Sequence, residues 1–337
     1  MPLSNPGDAQ GPGGWRGQGE RGSATGAALV RWLTAWLPRR AAHLLIPPVA
    51  WYFLATHRPA RSASVRYLTR VLGRRPRLLE RYRHFATFSA VVVDRIYLLR
   101  NRCEGFDVAI DTDEGRAISE RYQRRRDGFF VMGAHMGSFE VTRAVASELQ
   151  LPPILMVMFE ENARLMAAAL EALDPGRSQS IIALGRPDSM LRVRDALGEG
   201  AIVGMLPDRL LDDHRTPVDA RPLPFLGATA RFPIGPFRMA ALLKRPVLLQ
   251  LGLFDGGNRY RLVIEELADF GQDAGATREA RDAQVDAALR RYVERLEFHA
   301  RRSPYNWFNF YDIWGQQTAS DQGPHDASAW QGSGRAT

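Results

Sequence analysis

The sequence predicts an α/β protein with a mainly parallel central sheet flanked by helices and an N-terminal amphipathic helical segment. Three observations predict it. Apolar runs of strand length alternate with stretches of helical periodicity between residues 128 and 264. Strands separated by helices pair in parallel and are covered on both faces. The run Gly128-Phe-Phe-Val-Met-Gly-Ala-His135-Met-Gly-Ser-Phe-Glu140 shows one such strand passing through a tight turn into a helix.

Residues 1–25 and 316–337 are rich in Gly, Pro, Ser and Gln and are expected to be disordered. No basic start leads into an apolar core and a small-residue cleavage site, so no signal peptide is expected. Residues 26–58 form a separate helical segment. Leu29, Val30, Leu33, Trp36 and Leu37 make one apolar stripe, and residues 41–55 form an apolar run broken by Pro47-Pro48. A spanning helix needs about 20 apolar residues, so this run is short and is expected to kink. Trp32, Trp36, Trp51 and Tyr52 suit headgroup depth. The segment reads as a membrane-surface or re-entrant anchor, with a helical hairpin packed into the core as the alternative.

Residues 59–100 read as helices that carry Arg66, Arg70, Arg74, Arg75, Arg77, Arg81 and Arg83 beside an apolar set. These arginines are either a solvated face or a face held against anionic lipid. Strands follow at 129–132, 154–159, 180–184, 201–206, 247–253 and 259–264, with helices at 139–149, 163–173, 189–197 and 276–301. The ordered chain closes on an aromatic run, Pro304-Tyr-Asn306-Trp307-Phe-Asn309-Phe310-Tyr311-Asp312-Ile-Trp314. That run reads either as a cap over the core or as a substrate contact.

Charge narrows the partners. Lys+Arg 45 against Asp+Glu 37 leaves a net +8, nearly all of it carried by arginine. This balance suits phospholipid headgroups, nucleic acid or an acidic carrier protein. Nucleic acid is disfavoured, because no zinc spacing, RNA-binding aromatic motif or recognition-helix pattern is present. The single Cys103 leaves no internal disulfide framework and fits a reducing compartment.

The candidate site lies in the strand-to-helix turn bracketed by Gly133 and Gly137. On one continuous helix, residues five apart point about 140° from each other, at 3.6 residues per turn. With His135 in the bend, Glu140 can reach back to its ring. A carboxylate on one ring nitrogen fixes the tautomer and raises the basicity of the other, as a general base requires. The carboxyl edge of an α/β sheet is also where ligands bind. The same two residues are compatible with a half-buried histidine beside a surface glutamate. Ser138 lacks the Gly-x-Ser-x-Gly elbow of a nucleophile and is expected to cap the following helix.

His-x4-Glu in this setting resembles the motif of the lysophospholipid acyltransferase superfamily, in the branch of the bacterial lipid A late acyltransferases. Further blocks carry the resemblance. Ala201-Ile-Val-Gly-Met-Leu-Pro-Asp208-Arg209 is similar to the family's second strand-plus-Asp block. Arg221-Pro-Leu-Pro-Phe225-Leu-Gly227-Ala-Thr229-Ala230 is similar to its Val-Phe-Gly-x-x-Ala-x-Thr segment. Residues 236–249 resemble the helix and strand that close the block. The blocks span about residues 60 to 315, so the resemblance implies an acyltransferase domain over 59–315. One departure stands out. Where the lipid A enzymes carry an arginine before a proline, this chain reads Val157-Met-Phe159-Glu160-Glu161-Asn162, and Arg164 or Arg177 is left as the substitute.

The resemblance implies O-acyl transfer, with no cofactor and no metal. His135 would deprotonate an acceptor hydroxyl or amine that attacks a thioester carbonyl, and Glu140 would hold the ring as the carboxylate of a Ser-His-Asp triad does. Gly137, Ser138, Arg164, Asp208, Arg209, Phe225 and Gly227 are the implied substrate-binding positions, with backbone amides near Gly137 and a nearby arginine as oxyanion and phosphate donors. A structural turn or helix cap is the alternative reading of Asp208. The implied partners are an acyl carrier protein or acyl-CoA as donor, a lipid or glycolipid acceptor and an anionic membrane surface, with no nucleic acid. The implied location is the cytoplasmic face of the bacterial inner membrane, peripheral or shallowly inserted. Two alternatives stay open: a non-catalytic lipid-binding protein of the same fold, and a metal-dependent hydrolase using His135, Glu140 and Asp208.

Overall fold

The computed structural model describes residues 37–315, apart from 101, 103–104, 126, 149–151, 153, 160–162, 164–179, 187, 211–218 and 273–276. Two short helices come first, α1 (Arg39–His43) and α2 (Ile46–Thr56), then two long ones, α3 (Arg58–Leu72) and α4 (Leu78–Leu99). The α/β part follows as β1 (Asp107–Ile110), α5 (Asp113–Gln123), β2 (Phe129–Met132), α6 (Phe139–Glu148), β3 (Ile154–Phe159), β4 (Ile181–Leu184), α7 (Ser189–Gly198) and β5 (Ile202–Met205). It continues through β6 (Ala220–Phe225), β7 (Ala228–Pro233), α8 (Gly235–Leu242), β8 (Pro246–Gly256), β9 (Arg259–Asp269) and α9 (Arg278–Arg302). The helix expected over 163–173 lies outside the described residues, except that Ala163 is helical.

Seven strands form one sheet in the order β1-β9-β8-β2-β5-β3-β4. Every neighbouring pair is parallel except β8 and β9, an antiparallel hairpin of two 11-residue strands. The sheet is therefore mixed, because a two-residue connection at Gly257–Asn258 leaves no room for a crossover helix. β2 sits at the switch point. After it the chain builds β3, β4 and β5 on one side and β8 and β9 on the other. The carboxyl end of β2 is thus where such a sheet opens a crevice for ligands.

Both faces of β2 are covered, which explains its unbroken apolar run. Phe130 and Met132 pack with Tyr67 and Leu68 of α3, Phe237 of α8 and Leu289 and Tyr292 of α9. Phe129 and Val131 pack with Ile118 and Tyr122 of α5 and with Ile202, Leu248 and Leu262. β1 and α5 were not evident in the sequence. β1 is four half-exposed residues on the sheet edge and carries too short a pattern. The β6–β7 hairpin is a separate two-stranded sheet. Pro222 and Pro224 are tolerated in β6 because, among the described residues, it pairs only with β7, leaving an edge on which a missing donor costs nothing.

The prolines expected to kink the apolar run do not interrupt a helix. Pro47 and Pro48 occupy the first turn of α2, where a missing N–H is harmless, and the chain bends before them at Leu44–Leu45. Among the described residues, no helix is long and apolar enough to cross a membrane.

Two glycines set how closely β8 approaches the turn after β2. Gly137 adopts φ 67° and forms a bridge to Gly252, with the Ser138 amide donating to the Gly252 carbonyl at 2.8 Å. A Cβ on Gly137 would lie 2.0 Å from the Gly252 oxygen, and one on Gly252 would lie 2.3 Å from the Ser138 oxygen. Gly137→Ala should therefore cost at least about 2 kcal/mol, from backbone strain and the clash together. Gly198→Ala, with open space around its Cβ, should be neutral or slightly stabilising. Urea unfolding midpoints of the two variants check the contrast.

Candidate active site

His135 lies in the turn between β2 and α6, which Gly137 closes. Its Nδ1 is 2.8 Å from Asp208 Oδ1, and its backbone amide donates to Asp208 Oδ2 at 2.9 Å. Asp208 follows β5, the parallel neighbour of β2, so the pairing of those strands brings the two residues together. The carboxylate on the ring is therefore Asp208 and not Glu140. Five residues on, Glu140 lies in the first turn of α6, and its Oε1 meets Arg95 Nε of α4 at 2.8 Å. The turn and the start of α6 direct the glutamate toward α4, whereas the parallel strand ends place an aspartate under the ring.

Asp208 is fully buried and takes a third donor, the Trp307 indole Nε1 at 3.1 Å. Burial alone would raise its pKa. The His135 ring and amide, together with Arg209, outweigh burial and hold the carboxyl at about 2. Burial acts first on His135 as well, although a third of its side chain is exposed, and pushes the ring below the ordinary histidine range. The positive charges of Arg209 and Arg95 push the same way, while Asp208 opposes them. The ring is thus neutral at pH 7 and donates from Nδ1 to an ionised carboxylate. Nε2 makes no hydrogen bond among the described residues, which leaves its lone pair for a substrate proton.

The aromatic run near the C-terminus is a cap that reaches the site. Met136 bridges Trp307, the Gly137 amide donates to Asn306 O at 2.8 Å, and the Phe308 amide donates to His135 O at 2.7 Å. The Asn306 side chain accepts from Phe254 N at 2.8 Å and donates to Phe254 O at 3.1 Å, fastening the run to β8. Arg209 Nη2 donates to Phe308 O at 2.9 Å, and its guanidinium lies 5.6 Å from the Tyr311 ring centre. Tyr292 of α9 donates to Gly133 O at 2.8 Å, pinning the end of β2 from below.

The remaining expected site residues divide. The Gly137 and Ser138 amides donate to backbone carbonyls, so neither amide serves as an oxyanion donor in this arrangement. The Ser138 hydroxyl donates to Glu140 Oε2 at 3.5 Å. Phe225 is fully buried with its ring 5.1 Å from that of Trp307, so it supports the donor to Asp208. Gly227 forms the β6–β7 turn with Leu226, at φ 78° and 51°, a two-residue hairpin geometry. Arg164 and Arg177 lie outside the described residues.

Trp307, Asn306 and Arg95 were missed as site residues. The aromatic run flagged the first two without showing where it folds, and Arg95 is one arginine among many. Among the described residues, no group of three or more His, Cys, Asp or Glu is placed to hold a metal ion. His135 and Asp208 converge, but Glu140 is committed to Arg95. No known family model matches the chain, and no curated protein matches it either.

The charge arrangement has a measurable consequence. His135 should titrate below 6.5 by histidine NMR, and Asp208→Asn should lower the midpoint further, because it removes a negative charge that favours the imidazolium. A midpoint above 7 in the unaltered protein would contradict the neutral-ring assignment.

Proposed function

We propose that the protein is an acyltransferase that moves a fatty acyl group from an acyl-thioester to a hydroxyl or amine of a lipid or glycolipid. The observation that carries this reading is the His135–Asp208 pair. It is a neutral imidazole with its tautomer fixed by a buried carboxylate and with Nε2 open, at the switch point of a largely parallel sheet. Each member of the pair belongs to one of the sequence blocks that resemble the lysophospholipid acyltransferase superfamily, in its lipid A branch. Asp208, and not the acid five residues after the histidine, plays the orienting part.

In this mechanism the acceptor hydroxyl gives its proton to His135 Nε2 as its oxygen attacks the thioester carbonyl. The imidazolium that forms is stabilised by Asp208. The tetrahedral intermediate collapses by breaking the carbon–sulfur bond, and Nε2–H returns the proton to the leaving thiolate. No enzyme nucleophile is required, because the acceptor supplies it. The donor is an acyl carrier protein thioester, with acyl-CoA as the second choice, since the arginine-rich helices suit an acidic carrier.

Attachment to the cytoplasmic face of a bacterial inner membrane belongs to the same reading. Leu44 is 76% and Tyr52 63% exposed, and Leu45, Val49, Trp51 and Phe53 are exposed beside them. On the inner face of α2, Ala50 and Leu54 are buried against Phe85. Trp51 stacks on Tyr82 at 4.9 Å, and Leu78 and Leu79 lie exposed at the start of α4 near the exposed Arg75, Arg77 and Arg83. An outward apolar face next to a cationic one is what an anionic lipid surface selects.

His135→Ala should lower acyl transfer at least ~10²–10⁴-fold with the fold intact, and Asp208→Asn should follow it closely. The acid limb of kcat/KM should fall only below pH 6.5, because the base is lost on protonation and its pKa is depressed. Near-normal turnover by His135→Ala would end the proposed mechanism. For attachment, Leu44→Ser with Tyr52→Ser should reduce sedimentation with anionic vesicles about tenfold or more, at roughly 1.5–3 kcal/mol per large apolar side chain. Salt alone should release only part of the protein. Undiminished vesicle binding by the double variant would remove α2 from the anchor.

A further inference from the structure

A second buried histidine lies behind the site, and the mechanism does not use it. His84 of α4 is fully buried, with the ring centres of Tyr67 and Phe310 at 5.5 and 4.7 Å from its own. Its Nε2 lies 2.9 Å from Trp307 O, and its Nδ1 lies 2.9 Å from Ser64 Oγ of α3. A carbonyl only accepts, so Nε2 carries the proton and donates to Trp307 O. Burial lowers the ring to about 4, which keeps it neutral at pH 7. In a neutral ring Nδ1 is then the acceptor, and the Ser64 hydroxyl donates to it. Ser64 thus fixes the tautomer of His84, as Asp208 fixes that of His135.

The carbonyl that His84 holds is one half of a peptide group. The other half is the Phe308 amide, which donates to His135 O at 2.7 Å. A peptide group is planar and rigid, so the two histidines hold opposite sides of one unit. Hydrogen bonds linked in such a chain polarise and strengthen one another. The flanking groups reach the same base. The Trp307 indole donates to Asp208 Oδ2 at 3.1 Å, and Arg209 Nη2 donates to Phe308 O at 2.9 Å. A donor at His84 satisfies a buried carbonyl, which is a structural gain by itself. Because the far side of that peptide is fastened to the backbone of the base, the same bond also bears on where the base sits.

We propose that His84, held in one tautomer by Ser64, is a positioning residue for the His135–Asp208 pair and acts through the Trp307–Phe308 peptide. His84 has no exposed surface, so it orients the base without touching substrate. Its part in turnover rests on the acyl-transfer reading, but its hold on the His135 ring does not.

The test uses the full chain labelled at histidine, with the ring tautomer of His135 followed by NMR and acyl transfer measured beside it. In the unaltered protein the His135 proton should sit on Nδ1. His84→Phe keeps the bulk of the ring and removes both of its hydrogen bonds. It should populate the other His135 tautomer and lower kcat roughly 5–50-fold with KM little changed, the size expected when a buried hydrogen bond loses one partner. His84→Gln, which keeps a donor for Trp307 O, should restore the Nδ1–H tautomer and most of kcat. Ser64→Ala should shift both readouts in the direction of His84→Phe, by less. Val193→Ala, in the buried face of α7 where that helix packs on β4 and β5, is the control for lost stability. It should lower the urea midpoint and leave the tautomer and kcat as they are. An unchanged tautomer or an unchanged kcat in His84→Phe, a loss that falls on KM, or a His84→Gln variant as impaired as His84→Phe would each overturn the proposal. A matching loss in Val193→Ala would overturn it too, and would reduce His84 to a core residue. If His84→Phe does not fold, Ser64→Ala decides by the same two readouts. Acyl transfer that survives His135→Ala would overturn the catalytic reading instead, and would leave the tautomer result standing.

Discussion

The buried Asp208 carboxylate is the interaction on which the rest of the site depends. It accepts from the His135 amide, the His135 ring and the Trp307 indole, so one side chain ties the end of β2, the end of β5 and the closing aromatic run together. A lone ionised carboxylate with no exposed surface would cost several kcal/mol, and the three donors offset that cost. Loss of any one donor leaves buried charge under-satisfied, so orientation of the base and stability of the turn cannot be separated. The depressed Asp208 pKa has the same meaning for pH. Its contribution is present above the unfolded carboxyl value near 3.9 and is lost as pH falls through about 2.

Around that carboxylate the backbone does as much as the side chains. Glycines at 137 and 252 let the turn and β8 meet without Cβ atoms between them. The residues from Asn306 to Phe308 then lie along the turn and exchange backbone hydrogen bonds with His135 and Gly137. A second buried chain supports this segment. Ser64 Oγ lies 2.9 Å from His84 Nδ1, and His84 Nε2 lies 2.9 Å from Trp307 O. Burial lowers His84 to about 4, so that ring stays neutral and holds the Trp307 carbonyl from the α3–α4 side. The helices of the N-terminal half thereby help to set the position of an indole whose other end contacts Asp208.

Of the two acidic residues singled out in the sequence, Asp208 takes the place at the His135 ring that the spacing suggested for Glu140. Glu140 is close to His135 in the chain, but helix α6 carries it toward Arg95. Asp208 is 73 residues away in the chain, yet it is delivered to the ring because β2 and β5 are parallel neighbours with Met132 opposite Met205. Short-range spacing limits which groups can meet. Strand order decides which of them do.

Local physics made much of the protein legible from its residues alone. The apolar run from Phe129 to Met132, the glycine-flanked turn and the alternation of strands and helices specify a parallel α/β core with a histidine at the end of a central strand. Each of these signals depends on neighbours a few positions apart, where periodicity and turn propensity act. Other features required the folded chain: the antiparallel β8–β9 pair, the edge strand β1, the proline-bearing β6–β7 hairpin and the indole of Trp307 on Asp208. All of these join residues that are brought together by sheet order or side-chain packing, and the pairing energy of such contacts leaves no periodic trace in either partner. Arg95 is the clearest case. In sequence it is one arginine in an arginine-rich helix, and only the packing of α4 on α6 turns it into a charge in an apolar seam, facing the glutamate beside the histidine.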